Sequence, residues 1–314
     1  MAIKRQEDLK TLRALIARHK LNDYVFSLVG FLATMVGVLI LLLLFFDLLR
    51  DGLPRLGYDF FASFPSRHAG EAGILSAWVG SVLVMLVTAS CAVPIGVAGA
   101  VYLEEYAPKN WMTNIIEINV TNLAGVPSIV YGLLALGLFV YQFDLGQSIL
   151  TAGLTLGLLI LPVIIVATRE SLRAVPIAIR EAAYALGATR WQLVSDHLLP
   201  YSVGGIMTGI IIGLARAIGE TAPIITIGAL TFIAFLPPVP FIAQSEGEPP
   251  AGLFDWLFSP FTVLPIQMFN WVSRPQAAFL ENAAATGVVI IVLTLAMNAF
   301  AISLRYRVRK NIKW

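Results

Sequence analysis

The chain has 314 residues, of which 58% are apolar and only 13% charged, with a formal net charge of +2. Soluble domains carry about a quarter charged residues, so this surface cannot be that of an ordinary cytosolic enzyme, and a disordered chain is excluded on the same grounds. Cys91 is the only cysteine, which excludes a disulfide scaffold, and 21 basic against 19 acidic residues leave no global field for nucleic acid.

The pattern is that of an all-α integral membrane protein. A hydrocarbon core of about 30 Å needs roughly 20 apolar residues as helix. Six segments qualify: 24–46, 75–103, 113–141, 148–168, 203–235 and 283–304. Their runs are continuous rather than alternating, which excludes strand spans. Residues 1–23 form a basic arm, 24–304 one six-span domain, and 305–314 a basic tail. The first segment outlasts a signal core of about 7–15 residues and no small-residue cleavage site follows it, so it reads as a retained span.

Span two ends in Glu104-Glu105, read as a helix-end feature rather than a catalytic pair. In span three, Asn119, Thr121 and Asn122 precede Gly125-Val-Pro-Ser128. Polar residues beside a Gly-Pro break suit a discontinuous helix lining a cavity, with Ser128 as donor to an oxyanion. Polar groups bonding between helices is an equal alternative.

The loop 169–200 carries Glu181-Ala182-Ala183, then Gly187, then Leu199-Pro200. It reads as a helix with Ala182, Ala183 and Leu186 as apolar knobs, a break at Gly187 in the left-handed region, and a second helix. That second helix is capped by Thr189, carries Trp191, Val194 and Leu198 at helical spacing, and is stopped by Pro200. Such a two-helix knob suits docking into a groove on a soluble partner.

Span five places Arg216 and Glu220 near its middle, spaced i, i+4 so that they share a face and pair. Buried charges at that depth cost about 2.5–3.5 kcal/mol and are functional by default, although a pair that only fixes helix register is the alternative. The planar fork of Arg216 suits phosphate-like oxygens. Gly209, Gly213 and Gly219 allow close helix approach. The loop 236–282 is rich in proline and aromatics. It contains a short amphipathic helix with Leu264, Met268 and Trp271 on one face and Gln267, Asn270 and Arg274 on the other, expected to lie on the outer interface.

Basic residues set the orientation. The arm (Lys4, Arg5, Lys10, Arg13, Arg18, Lys20), Lys109, the 169–200 loop (Arg169, Arg173, Arg180, Arg190) and the tail (Arg305, Arg307, Arg309, Lys310, Lys313) put sixteen on one side. The opposite loops hold four, Arg50, Arg55, Arg67 and Arg274. By the positive-inside rule both termini and the 169–200 loop are cytoplasmic. Beside a span the arm reads as a topology signal rather than a site for nucleic acid or anionic lipid; the chain's expected partners include membrane lipid and no nucleic acid.

The Glu181–Pro200 pattern resembles the EAA loop of ABC-importer permeases: E-A-A, three residues, G, nine residues, I, one residue, L-P. His197 stands where that family has Ile. Arg216-Ala-Ile-Gly-Glu220-Thr-Ala-Pro223 and Gly125-Val-Pro-Ser-Ile-Val-Tyr-Gly132 narrow the resemblance to permeases of Pst-type phosphate importers, and Glu-Thr-Ala-Pro is more similar to the A-type than to the C-type subunit. The resemblance implies a six-span type I permease bundle of the bacterial cytoplasmic membrane with a cytoplasmic coupling helix. It implies inward transport of inorganic phosphate, with a C-type permease subunit, an ATPase subunit dimer and an external phosphate-binding protein as partners. No G-x-x-x-x-G-K-[ST] occurs in the chain, so ATP and Mg belong to the partner ATPase and this chain carries no cofactor and no catalytic or metal site. The expected substrate pathway comprises Arg216, Glu220, Thr221, Ser128 and Asn122. The expected ATPase-coupling residues are Glu181, Ala182, Ala183, Gly187, Leu199 and Pro200.

Two alternatives remain open: a permease for a related oxyanion (phosphonate, molybdate or sulfate), and a stand-alone secondary anion transporter, which has no use for the Glu181–Pro200 loop. A haem protein and a serine hydrolase are excluded, since His19, His68 and His197 all fall in loops.

Overall fold

The computed structural model describes residues 2–242 and 250–310, with side chains from 19 to 307. Glu246, Gly247 and Glu248 of the expected outer loop, the side chains of the arm before His19, and the tail beyond 310 lie outside the described residues. The chain forms two compact units, divided after Asp51.

The first unit is helical throughout its described residues, as helix α1 (Ala2–Gly52), whose last residue already belongs to the second unit, and α1 runs through the basic arm without interruption. No Gly or Pro occurs before Gly30, and Lys, Arg, Leu, Ala and Glu all favour helix. The arm is therefore a helical extension continuous with the first span, whose membrane-length apolar stretch starts near His19.

The second unit opens with a 3-10 turn at Leu53–Arg55 and a short helix α2 (Tyr58–Ala62). Helix α3 (Leu75–Val101) follows and widens into a π-turn over Tyr102–Tyr106. Next come α4 (Trp111–Leu123), capped by Asn110, and α5 (Ser128–Ala135). Helix α6 (Ile149–Arg173) begins at the Ser148 cap. At its far end lie α7 (Ile177–Ala185) and α8 (Arg190–Gln192). Helices α9 (Leu199–Ile218), α10 (Ala222–Thr226), α11 (Leu264–Val272) and α12 (Ala278–Lys310) complete the unit. Among the described residues five helices are long and apolar enough to span a membrane, six when the bent pair α4 and α5 is one span.

Small residues set the packing directions. Along α3 and α6, Val87 and Thr88 meet Gly153, Ala92 meets Gly157, Gly96 meets Ile164, and Gly99 meets Ile165. Both sequences rise together, so the two helices are parallel. Residues 107–148 must then return the chain from one end of the bundle to the other. The bent pair α4 and α5 is that traverse, despite a 108° bend between its legs. Gly205, Gly209 and Gly213 of α9 meet Ser171, Ala167 and the Ile160–Ile164 pair of α6, which makes α9 antiparallel to α6. Helix α12 starts in the cluster of Phe60, Ile74, Ala77 and Trp271, and near its other end Arg305 donates to Thr208 Oγ1 (2.8 Å). It therefore finishes at the same end of the bundle as the 174–189 loop.

Four expectations need correction. The fifth span does not run to 235: α9 stops at Ile218, and the chain re-forms as the five-residue α10. Gly219 approaches nothing, whereas Gly205 extends the close-contact stripe. Gln267 is fully buried rather than facing away from Trp271. Oriented to satisfy both neighbours, its amide donates to the Thr231 carbonyl (3.2 Å) and accepts from Trp271 Nε1 (3.1 Å). Helix α11 is thus wedged between α3 and α12, where Ser81 Oγ accepts from Leu264 N (2.9 Å), instead of lying flat on an interface.

Candidate functional site

The Glu181–Pro200 segment forms a helix–turn–helix knob at one end of the bundle. Helix α7 ends in two nested bonds: Ala188 N donates to Ala183 O (3.0 Å) and Gly187 N to Tyr184 O (2.9 Å). This is the glycine-terminated helix end that needs a left-handed residue, and Gly187 has φ +84°. Thr189 then caps α8 reciprocally with Gln192 (Gln192 N to Thr189 Oγ1 3.3 Å, Thr189 N to Gln192 Oε1 2.8 Å).

Beyond α8 the knob departs from expectation. Residues 193–198 are π-helix and run straight into α9, so the chain is helical from Arg190 to Ile218. Pro200 does not stop this helix. The wide turn before it makes room for a residue with no N–H to donate. The inserted residue also rotates the register: Leu193, Val194 and Leu198 are buried, while Trp191 faces outward. In α7, Ala183 packs inward and Glu181, Ala182 and Leu186 are exposed, Leu186 at 90%. The exposed set lies on the surface of the knob, and the buried set fastens the knob to α3 and α6 through Val101 and Leu172.

The charged pair lies at the opposite end of the same continuous helix. Arg216 is in the last turn of α9, and Glu220 falls two residues past its end. Arg216 Nε lies 3.3 Å from Glu220 Oε1, with the two side chains 38% and 19% exposed. Gly213 is level with Ile160 and Ile164, and Arg216 is one turn on. The pair is therefore beside the middle of the 25-residue α6, although α9 itself ends there.

Helix α10, which carries Pro223, packs on α5 so closely that a Cβ on Gly132 would sit 1.8 Å from Thr226 Oγ1. On α5, Tyr131 donates from its hydroxyl to Leu123 O (2.8 Å) across the α4–α5 break. Two broken spans thus meet. Arg216, Glu220 and Thr221 form one edge, and α5, with half-buried Ser128 in its first turn, forms the other.

Asn122 is not part of this group. It lies on the other leg of the bend, in a cleft of about 330 Å³ with Thr121, Glu117, Arg169 and Arg173. Asn119 and Thr121 donate to carbonyls of their own helix, at Ile115 (2.8 Å) and Glu117 (3.0 Å).

Sequence reasoning missed the ion-pair cluster beside that cleft. Arg169, whose side chain is 7% exposed, pairs with Glu104 (3.4 Å) and Glu117 (2.6 Å). Arg173 pairs with the same two carboxylates (2.9 and 3.8 Å) and with Glu170 (3.7 Å). Arg180 of α7 holds Glu105 and donates to Leu172 O (2.9 Å). The available signal is three glutamates at span ends, in a chain where acidic residues are scarce, with three arginines, Arg169, Arg173 and Arg180, clustered in one loop.

Comparison with known proteins agrees with this architecture. The family described as binding-protein-dependent transport system inner membrane component matches residues 92–313. A probable ABC transporter permease protein, YqgI, of Bacillus subtilis is 30% identical over 83% of this chain and 87% of its own. The phosphate transport system permease protein PstA of Yersinia pestis is 31% identical over 88% of this chain and 87% of its own. The PstA of Mycobacterium leprae is 32% identical over 77% and 73%. Among solved structures, a chain of the inward-facing MetNI methionine ABC transporter superposes with a TM-score of 0.56 at 17% identity, covering 75% of this chain and 95% of that one. That likeness concerns the fold alone, a type I ABC-importer permease bundle.

Proposed function

Because the chain belongs to the family of binding-protein-dependent transport system inner membrane components, we propose that it is the A-type permease subunit of an ATP-driven importer that moves inorganic phosphate inward across the bacterial cytoplasmic membrane. It is a transport subunit and not an enzyme. ATP hydrolysis is the work of a separate ATPase, and an external binding protein delivers the substrate.

The observation that carries this reading is one continuous helix, Arg190–Ile218, with the docking knob at its start and Arg216 at its end. A secondary carrier has no need of such a knob. In an importer the helix is a lever: movement of the knob by a closing ATPase dimer reaches Arg216 without passing through a flexible joint. Arg216 gives the anion a transient partner in the middle of the bundle, and Glu220 holds the guanidinium when no anion is present. One cation is enough, because conduction needs binding that is weak enough to release.

The remaining assignments rest on the same reading. The C-type permease forms the other half of the pathway. An ATPase dimer holds ATP and Mg and receives Glu181, Ala182 and Leu186 in its clefts. Both termini lie in the cytoplasm, from the basic-residue bias.

The test is uptake in proteoliposomes holding the full complex, with phosphate, phosphonate, molybdate and sulfate compared. ATP-dependent uptake of phosphate above the other three supports the reading. Uptake without ATP, or of another oxyanion in preference, overturns it.

A further inference from the structure

The ion-pair cluster is placed where it has a consequence for transport. Glu104 and Glu105 are neighbours on the π-turn that ends α3, yet their partners lie on different elements. Glu105 takes Arg180 of the knob helix α7. Glu104 takes Arg169 and Arg173 of α6, and these two arginines reach on to Glu117 of α4. Two sets of ion pairs, joined through the neighbouring Glu104 and Glu105, therefore run from the knob to the first leg of the broken span.

That leg has few other attachments. Among the described residues Thr113, at its start, is the only buried residue of α4, and Ile115, Ile116, Ile118 and Leu123 are exposed. The contact between Glu117 and the nearly buried Arg169, at 2.6 Å, is the polar tether of α4 to the bundle. Six residues beyond Glu117 the leg ends at Leu123, whose carbonyl accepts from Tyr131 on α5. Moving α4 away from α6 would separate Glu117 from both of its cations and leave the nearly buried Arg169 with Glu104 alone, a loss of charge pairing that is disfavoured.

We infer that Arg169 and Glu117 are positioning residues that carry movement of the α7–α8 knob to α4, so that the break at 124–127 shifts in step with Arg216. Neither residue touches the anion in this scheme. The long helix moves one edge of the pathway directly, and the joined ion pairs move the other. This inference rests on the reading of the chain as an ATP-driven permease subunit.

The experiment uses the complete importer in proteoliposomes, with phosphate uptake and ATP hydrolysis measured on the same sample. Glu117→Gln is the informative change. Its side chain is 30% exposed and a glutamine fits the space, so assembly is retained. Expected is ATP hydrolysis within about twofold of the parent and phosphate uptake reduced about tenfold, so that the phosphate moved per ATP falls by an order of magnitude. Arg173→Met removes the more exposed cation of the pair, 46% exposed, and should lower the ratio about threefold at most.

A merely structural role would lower uptake and hydrolysis together through loss of complex, which co-purification of the ATPase detects. That outcome, or an unchanged ratio in Glu117→Gln, overturns the inference while leaving the permease reading intact. Absence of ATP-dependent phosphate uptake in the parent complex overturns the permease reading, and the inference with it.

Discussion

Two arginines show how environment separates roles that look alike in sequence. Arg216 makes one contact at 3.3 Å and is 38% exposed. The guanidinium is partly uncovered and, among the described residues, holds no other element in place, so the side chain can be removed without unfolding the bundle. Arg216→Ala should therefore leave expression and co-purification with the ATPase unchanged and abolish phosphate uptake; normal uptake by that variant would remove it from the pathway. Arg169 has two carboxylate partners and is nearly buried. Stripping one side of such a cluster costs about 3–5 kcal/mol. Both arginines were visible in the sequence, and the intramembrane position of Arg216 singled it out. Arg169 was read as a topology residue, because nothing in a linear sequence says that α6 extends far enough to bring it beside Glu104 and Glu117.

At the scale of elements, the junctions matter more than the spans. The α5–α10 contact depends on Gly132, where a Cβ would fall 2.6 Å from Pro223 Cα as well as against Thr226. Gly132→Val should separate the two broken spans and cost about 1–3 kcal/mol, seen as a lower unfolding temperature in detergent and a loss of uptake. At the knob, Gly187 needs a positive φ and donates its N–H to Tyr184 O. Gly187→Pro removes both properties. Hydrolysis measured together with uptake should show ATP consumption continuing while phosphate movement falls at least tenfold, because α7 loses its fixed angle to α8. The knob was legible because capping and glycine termination are local chemistry. The π-turn before Pro200 was not. A proline in a helical pattern ordinarily marks an end, and only the continuous packing of Leu193, Val194 and Leu198 against α3 and α6 made the wider turn preferable to a break.

For the whole molecule, the second unit places the 174–189 loop and the end of α12 at the same end of the bundle. With sixteen of the 21 basic residues assigned to one side by sequence, that end should face the cytoplasm. A protease site added after Trp314 should resist cleavage in intact spheroplasts and be cut after lysis; cleavage in intact spheroplasts would reverse the assigned orientation. The sequence by itself determined the membrane class, the apolar helices long enough to span, the knob and the charged pair, because each depends on hydrophobic length or on residues within a few positions of one another. Only the tertiary structure decided that α3 and α6 run parallel, that the third span is bent by 108°, that α9 ends beside the middle of α6, and that Glu104, Glu117 and Arg169 meet. Those facts depend on which small residues let which helices approach, and on charges 52 to 65 positions apart finding each other where leaving them unpaired is too costly.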